Sequence, residues 1–118
     1  AARHPALPTI FGLTPDILET PEAHARYQEA SPIEHVHPGV PPVLLFYSDA
    51  RAPLSDDAQP GDGMHHPAFG PPLLERMQAV GSPCLLRHQD DYAAQGGSLL
   101  ADAAAFLDAY CPAQRQLP

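Results

Sequence analysis

The side chains in this chain that could do chemistry are above all histidines, of which there are seven in 118 residues. His35 and His37 are two apart, so an extended segment would place both on one side. His65 and His66 are adjacent in a stretch that also holds Asp56, Asp57 and Asp62. Imidazole and carboxylate groups are ligands for Zn or Cu. The four histidines are therefore candidate metal ligands, although the same pattern also occurs in ordinary loops.

Nucleophiles are less promising. None of the five serines lies between glycines in the G-x-S-x-G arrangement that exposes a catalytic hydroxyl on a sharp turn. The two cysteines, Cys84 and Cys111, have no C-x-x-C spacing. We expect two partly buried thiols, with a disulfide between them as an open alternative.

The elements that must position these groups centre on two predicted strands, at 42–47 and 84–88, which contain continuous apolar runs at 43–47 and 84–86. Parallel strands are covered on both faces and have such runs. Between the two runs, the helix predicted at 72–80 carries an apolar face at helical spacing. That face consists of Leu73, Leu74, Met77 and Val80. The pattern predicts a strand–helix–strand unit.

Further elements flank this unit. We predict a weak first strand at 7–12, and a helix from Pro21 to about Ala30 with Thr20 as its N-cap. A last helix begins after Ser98, and residues 48–72 form a long loop rich in proline and glycine. The predicted fold class is α/β. It is a single domain over 1–118 with a short parallel three-stranded sheet in sequential order and flanking helices.

Charge and hydropathy exclude some partners. The chain has no lysine and a net charge of −8, so it lacks the basic surface that a nucleic acid or an anionic membrane requires. No apolar run approaches the roughly 20 residues of a membrane span.

Five segments, in this order, are typical of one enzyme family. They are Ile10-Phe11-Gly12-Leu13-Thr14-Pro15-Asp16, Ala30-Ser31-Pro32-Ile33-Glu34-His35-Val36, Pro41-Pro42-Val43-Leu44-Leu45, Met64-His65-His66-Pro67-Ala68-Phe69-Gly70 and Ala79-Val80-Gly81-Ser82-Pro83. The stretch from 10 to 110 resembles the C-terminal part of an α/β-hydrolase-fold esterase or lipase. The resemblance is to carboxylesterases related to acetyl-xylan and feruloyl esterases, and it implies a partial α/β-hydrolase fold.

The resemblance also implies where a catalytic triad would lie. Its serine elbow is expected before Ala1. The acid position falls on Arg51 without gaps, on Asp49 with a two-residue deletion, or on Asp62 if the loop is an insertion. The base position falls on Ala94, which leaves His88 at the strand end as the remaining candidate base.

The resulting hypothesis is an α/β-hydrolase-like chain that is a fragment, a subunit or a catalytically degenerate relative, acting in assembly or binding. The alternatives are a small carboxylic-ester hydrolase with an unorthodox or shared site, and a His-rich metal-binding protein. An uncovered strand edge attracts other strands. We therefore expect a homo-oligomer or a partner chain to cover the edge of the first strand.

Overall fold

Two five-residue parallel strands form the centre of the molecule. In a computed structural model, which describes residues 5–59 and 61–111, β1 (Val43–Tyr47) pairs with β2 (Cys84–His88). The register places Val43 opposite Cys84 and Tyr47 opposite His88. Both strands lie where the apolar runs predict them. The sheet has two strands within the described residues, whereas three were expected.

Helices lie on both faces of this sheet. Successive strand residues point to opposite sides, so Leu86 and Arg87 mark the two faces. Leu86 meets the start of helix α3 (Gly70–Ala79), whereas Arg87 binds Asp102 of helix α5 (Leu99–Tyr110). The sequence is thus arranged as helix, sheet and helix layers, and the mixed α/β class is confirmed.

Helix α3 begins two residues earlier than the predicted 72–80. It follows directly on a 3₁₀ turn at Pro67–Phe69 that His66 caps. Prolines suit the first helical turn because their missing N–H has no partner there anyway. Met77, which is 1% exposed, is the most deeply buried large side chain, and burying such a side chain stabilises a fold by about 1.5–3 kcal/mol.

The predicted first strand is wrong. Residues Leu7–Phe11 form a short helix, α1, which ends at Gly12 in the left-handed conformation with φ 60°. Apolar runs of this length cannot be assigned from periodicity, and the Pro8–Gly12 spacing matches the usual start and end of a helix. Helix α2 (Pro21–Ala30) is found as predicted, with the Thr20 side chain accepting a hydrogen bond from the N–H of Ala23.

The two N-terminal helices, α1 and α2, pack against each other. The Arg26 guanidinium donates to the carbonyl oxygens of Phe11 and Gly12 at 2.8 and 3.1 Å, which satisfies the end of α1. The rings of Phe11 and Tyr27 pack edge to face with centroids 4.9 Å apart. This pair of helices takes the place of the expected strand.

The core is small. Among the described residues, the buried hydrophobic side chains are Leu13, Ala23, Val36 and Met77. Every residue of β1 and the first four of β2 are only half-buried. Parallel strands are normally covered on both faces, so this sheet is less covered than its type requires. No helix in the described part of the chain is long and apolar enough to span a membrane.

Adding one methyl group at Gly70 tests the packing of α3 on the sheet. A Cβ there would lie 2.7 Å from Leu86 Cδ1 and 2.8 Å from Tyr47 Cε2. Gly70→Ala normally favours a helix by up to about 1 kcal/mol. Here we expect a loss of about 1–3 kcal/mol in the free energy of unfolding, because the site is overpacked.

Urea denaturation measures this change. In the double variant Gly70→Ala/Leu86→Ala the contact with Leu86 is relieved while the contact with Tyr47 remains, so part of the penalty of the alanine at 70 should disappear. A stabilising effect of Gly70→Ala alone would mean that α3 does not approach the sheet this closely.

Candidate functional site at the carboxyl edge of the sheet

The C-terminal ends of β1 and β2 lie side by side, and ligands of open α/β sheets bind at this edge. The edge collects Asp49 and Arg51, which follow β1, and His88, which ends β2. It also receives Asp91 and Tyr92 from α4 (Gln89–Gln95), a helix that sequence patterns did not predict. We therefore take this edge as the candidate functional site.

His88 is the most buried polar side chain at the edge, with 4% of its surface exposed. Its Nε2 lies 2.7 Å from the carbonyl oxygen of Asp49, and its Nδ1 lies 3.1 Å from the backbone nitrogen of Asp90. A carbonyl can only accept and a backbone N–H can only donate. The ring therefore donates through Nε2 and accepts through Nδ1, and neither nitrogen has a free hydrogen-bonding position.

Asp91 joins β2 to the loop after β1. One of its carboxylate oxygens accepts the N–H of His88 at 2.9 Å, which completes a capping box at the start of α4. The other accepts from Arg51 Nη2 at 2.8 Å. The bond from Arg51 and then the one from His88 lower the pKa of Asp91. Asp91 is thus a stable anion that fixes this corner of the site.

A second network lies on the α5 face of the sheet. The Oδ2 atom of Asp102 accepts from Arg87 Nε at 2.6 Å and from the Tyr92 hydroxyl at 2.9 Å. The hydrogen bond from Arg87, followed by the one from Tyr92, lowers the pKa of Asp102. The ring of Tyr92 stacks on Phe46 with centroids 6.4 Å apart. This network attaches α4 and α5 to the sheet.

The structure brings only one of the two candidate acids to His88. The backbone carbonyl of Asp49 accepts a hydrogen bond from His88. The exposed carboxylate of Asp49 has no hydrogen bond within residues 5–59 and 61–111. Asp62 lies in the loop and accepts from the N–H of Gln59 at 2.7 Å, which is a local turn contact. Ala94, at the position the resemblance assigns to the base, lies exposed on α4.

The other candidate histidines do not contact His88, and each bonds to backbone groups or is exposed. His66 repeats the pattern of His88, since its Nδ1 accepts from the N–H of Ala68 and its Nε2 donates to Ala52 O. His35 contacts the carbonyl of Glu29, and His37 contacts that of Pro38. His65 is exposed in the loop. Among the residues described there is no group of three His, Cys, Asp or Glu side chains that could hold a metal ion.

The two thiols are both free, and Cys84 is half-buried in β2 whereas Cys111 is exposed after α5. Burial raises the pKa of the Cys84 thiol, which keeps it protonated and unreactive at neutral pH. The described residues thus contain no pair of nucleophile and base at the sheet edge. For binding, the edge offers the Arg51 cation and several carboxylates, whereas both nitrogens of the buried His88 ring are already hydrogen-bonded.

Sequence reasoning missed Tyr47, Asp102 and the roles of Arg87 and Asp91. The only local signal was the spacing from His88 to Asp91, which is that of a capping box with histidine in place of the usual serine or threonine.

Comparisons of the chain with protein-family models, curated proteins and solved structures found no match.

The Asp102 network makes stability depend on pH. Because the pKa of Asp102 is lower in the folded state than the unfolded value of about 3.9, its contribution is present above that value and is lost as the pH falls through the folded pKa. Asp102→Asn should lower the thermal midpoint at pH 7, and the difference from the unaltered chain should shrink below pH 4 or so.

Thermal unfolding followed by circular dichroism between neutral and acidic pH checks this. Asp108→Asn, on the same helix and exposed, is the matched control and should leave the midpoint nearly unchanged. If both substitutions lowered the thermal midpoint equally at neutral pH, the hydrogen bonds of Asp102 to Arg87 and Tyr92 would not contribute specifically to stability.

Proposed function

We propose that β1, α3, β2, α4 and α5 form a sheet-assembly module. In the working protein a further strand would pair with the free edge of β1, as in a larger α/β-hydrolase-like sheet. The observation that carries the proposal is the half-buried, two-stranded parallel sheet. Sheets with fewer than three strands have little independent stability, and parallel strands are normally buried.

The free edge of β1 is defined by its hydrogen bonds. The N–H of Val43 donates to the carbonyl of Pro83 at 3.1 Å, so Val43 directs its backbone groups toward β2. Alternate residues of a strand direct theirs to opposite sides, and Leu44 and Phe46 therefore point theirs away from β2. In the described part of the chain no strand and no side chain pairs with that edge.

The opposite edge, that of β2, is already partly satisfied. The carbonyl of Leu86 accepts from the Arg87 guanidinium at 3.2 Å, and the N–H of His88 donates to Asp91. Side chains that bond an edge strand in this way block the addition of another strand. The difference between the two edges supports pairing at β1 and a terminal position for β2.

The α/β-hydrolase likeness supports the same arrangement. In that resemblance β1 is the strand that precedes the acid and β2 precedes the base loop, so the remainder of the sheet would join at β1. The module would contribute its carboxyl edge, with Asp49 as candidate acid, to a site completed elsewhere. Binding and assembly are the roles we assign to the module itself.

Substitutions at Leu44 test the edge. Because the free edge should pair in the isolated chain as well, we expect the purified protein to self-associate at micromolar concentration. Leu44→Pro removes an N–H that points away from β2, so it should weaken association about tenfold or more while keeping the β1–β2 ladder. Sedimentation velocity measures the oligomeric state.

Two control variants separate edge pairing from folding. Leu44→Ala keeps the N–H and should still associate, whereas Leu45→Pro removes a donor to β2 and should unfold the sheet. Far-UV circular dichroism reports the fold of each. A monomeric unaltered chain, or a folded Leu44→Pro variant that associates normally, would refute pairing at this edge.

The module should have no esterase activity by itself, because His88 already uses both ring nitrogens and no described serine is hydrogen-bonded to a histidine. We expect no hydrolysis of p-nitrophenyl acetate above the buffer rate and no labelling by a fluorophosphonate. Turnover that the fluorophosphonate blocks would instead support a serine esterase, and turnover blocked only by a chelator would support the metal alternative.

A further inference from the structure

A cavity of about 270 Å³ opens on the α3 face of the sheet, beside the carboxyl edge. Its apolar wall includes Pro71 and Leu74 of α3 and Leu86 of β2. Its polar lining comes from Arg51, Tyr47 and Asp91, together with His88 and with Arg87, whose guanidinium is bonded to Asp102. Ligand sites are typically mostly apolar with a few polar groups that fix orientation, and their volumes are about 300–1,000 Å³. This cavity suits a ligand smaller than a drug-sized molecule.

Arg51 has binding capacity left. Its Nη2 donates to Asp91, and within the described residues this is its one hydrogen bond. A guanidinium carries five N–H donors in a planar fork that matches a carboxylate. Its side chain is 53% exposed, so a second carboxylate can approach it from the cavity.

Tyr47 adds a neutral donor. Its hydroxyl has no hydrogen-bond partner among the residues described, although its ring packs beside Leu86 and Gly70. Burial raises the pKa of the phenol further above neutrality, so the hydroxyl keeps its proton. A phenol and a guanidinium on one cavity can donate to the same anionic group.

His88 also lines the cavity, but its ring cannot select the ligand. Both nitrogens are already bonded to backbone groups of Asp49 and Asp90. The charge of the ligand is therefore selected by Arg51, which attracts an anion, and by Asp91, which repels one. The shape of the ligand is selected by the wall formed by Leu74 and Leu86.

We propose that this cavity binds a small monocarboxylate with a compact apolar body, such as an aromatic or branched-chain acid. The carboxylate lies on the free N–H groups of Arg51 and the Tyr47 hydroxyl. The apolar body lies against Pro71, Leu74 and Leu86. The surface as a whole is acidic, with a net charge of −8, so recognition is local to Arg51.

Benzoate and benzamide are the probes, and the full chain is titrated with each while amide NMR shifts are recorded. We expect benzoate to bind with a Kd on the order of 1 mM and the uncharged benzamide to bind about tenfold or more weakly. Shifts should concentrate at Tyr47, Leu74 and Leu86. Equal binding of the two probes would reduce the site to a nonspecific apolar cavity and overturn the proposal.

Variants of the ion pair provide the decisive comparison. Arg51→Gln should weaken benzoate binding about tenfold or more, and Arg76→Gln, an exposed arginine of α3 outside the cavity, should leave it unchanged. Asp91→Asn keeps an oxygen that can accept the N–H of His88 but removes the negative charge beside Arg51. This variant should therefore bind benzoate about threefold or more tightly than the unaltered chain does.

A folding defect would weaken benzoate binding, whereas Asp91→Asn is expected to strengthen it, so the two effects can be distinguished. Arg51→Lys retains the charge and should keep part of the affinity while losing the fork geometry. The proposal fails if benzoate causes no shift at about ten times the expected Kd, or if Arg51→Gln and Asp91→Asn both bind it as the unaltered chain does.

Discussion

The buried imidazole of His88 is the contact on which the carboxyl edge depends. Its Nε2 holds the carbonyl of Asp49, where the chain leaves β1, and its Nδ1 accepts the N–H of Asp90, where α4 begins. One ring therefore ties the end of one strand to the helix that follows the other. A buried polar group is costly unless its hydrogen bonds are made. Loss of either bond would leave a nitrogen of this 4%-exposed ring without a partner.

The rest of the sheet has little else to stabilise it. Its strands are half-buried, and Met77 is the one large side chain among the described residues that is fully enclosed. Polar contacts at the edge, namely Arg51 with Asp91 and Arg87 with Asp102, are partly exposed and each stabilises only weakly. Because burial of apolar surface is the dominant favourable term in folding, the half-buried strands leave part of that stabilisation unrealised.

Strong periodicity and helix caps were sufficient to predict α2, α5 and both strands, because the Thr20 and Ser98 caps and the apolar runs are local signals. The helix at Leu7–Phe11 was mistaken for a strand, since five apolar residues fit either state. Helix α4 was missed because its cap is a histidine. The Arg51–Asp91 pair joins residues 40 apart in the chain, and no local pattern predicts such a contact. The sequence thus predicts where the carboxyl edge of the sheet lies, but not which side chains pair with each other there.

The tautomer of His88 limits what a completed site could be. A catalytic base needs an unshared nitrogen lone pair facing the nucleophile, and here the lone pair of Nδ1 holds the first turn of α4. To act as a base, His88 would have to release Asp90 or give up the Asp49 carbonyl, and either change loosens the junction it maintains. Position 94, where the hydrolase resemblance expects the base, is an alanine on a regular helix. His88 therefore acts in this structure as a positioning group that joins β1 to α4, and not as a free base.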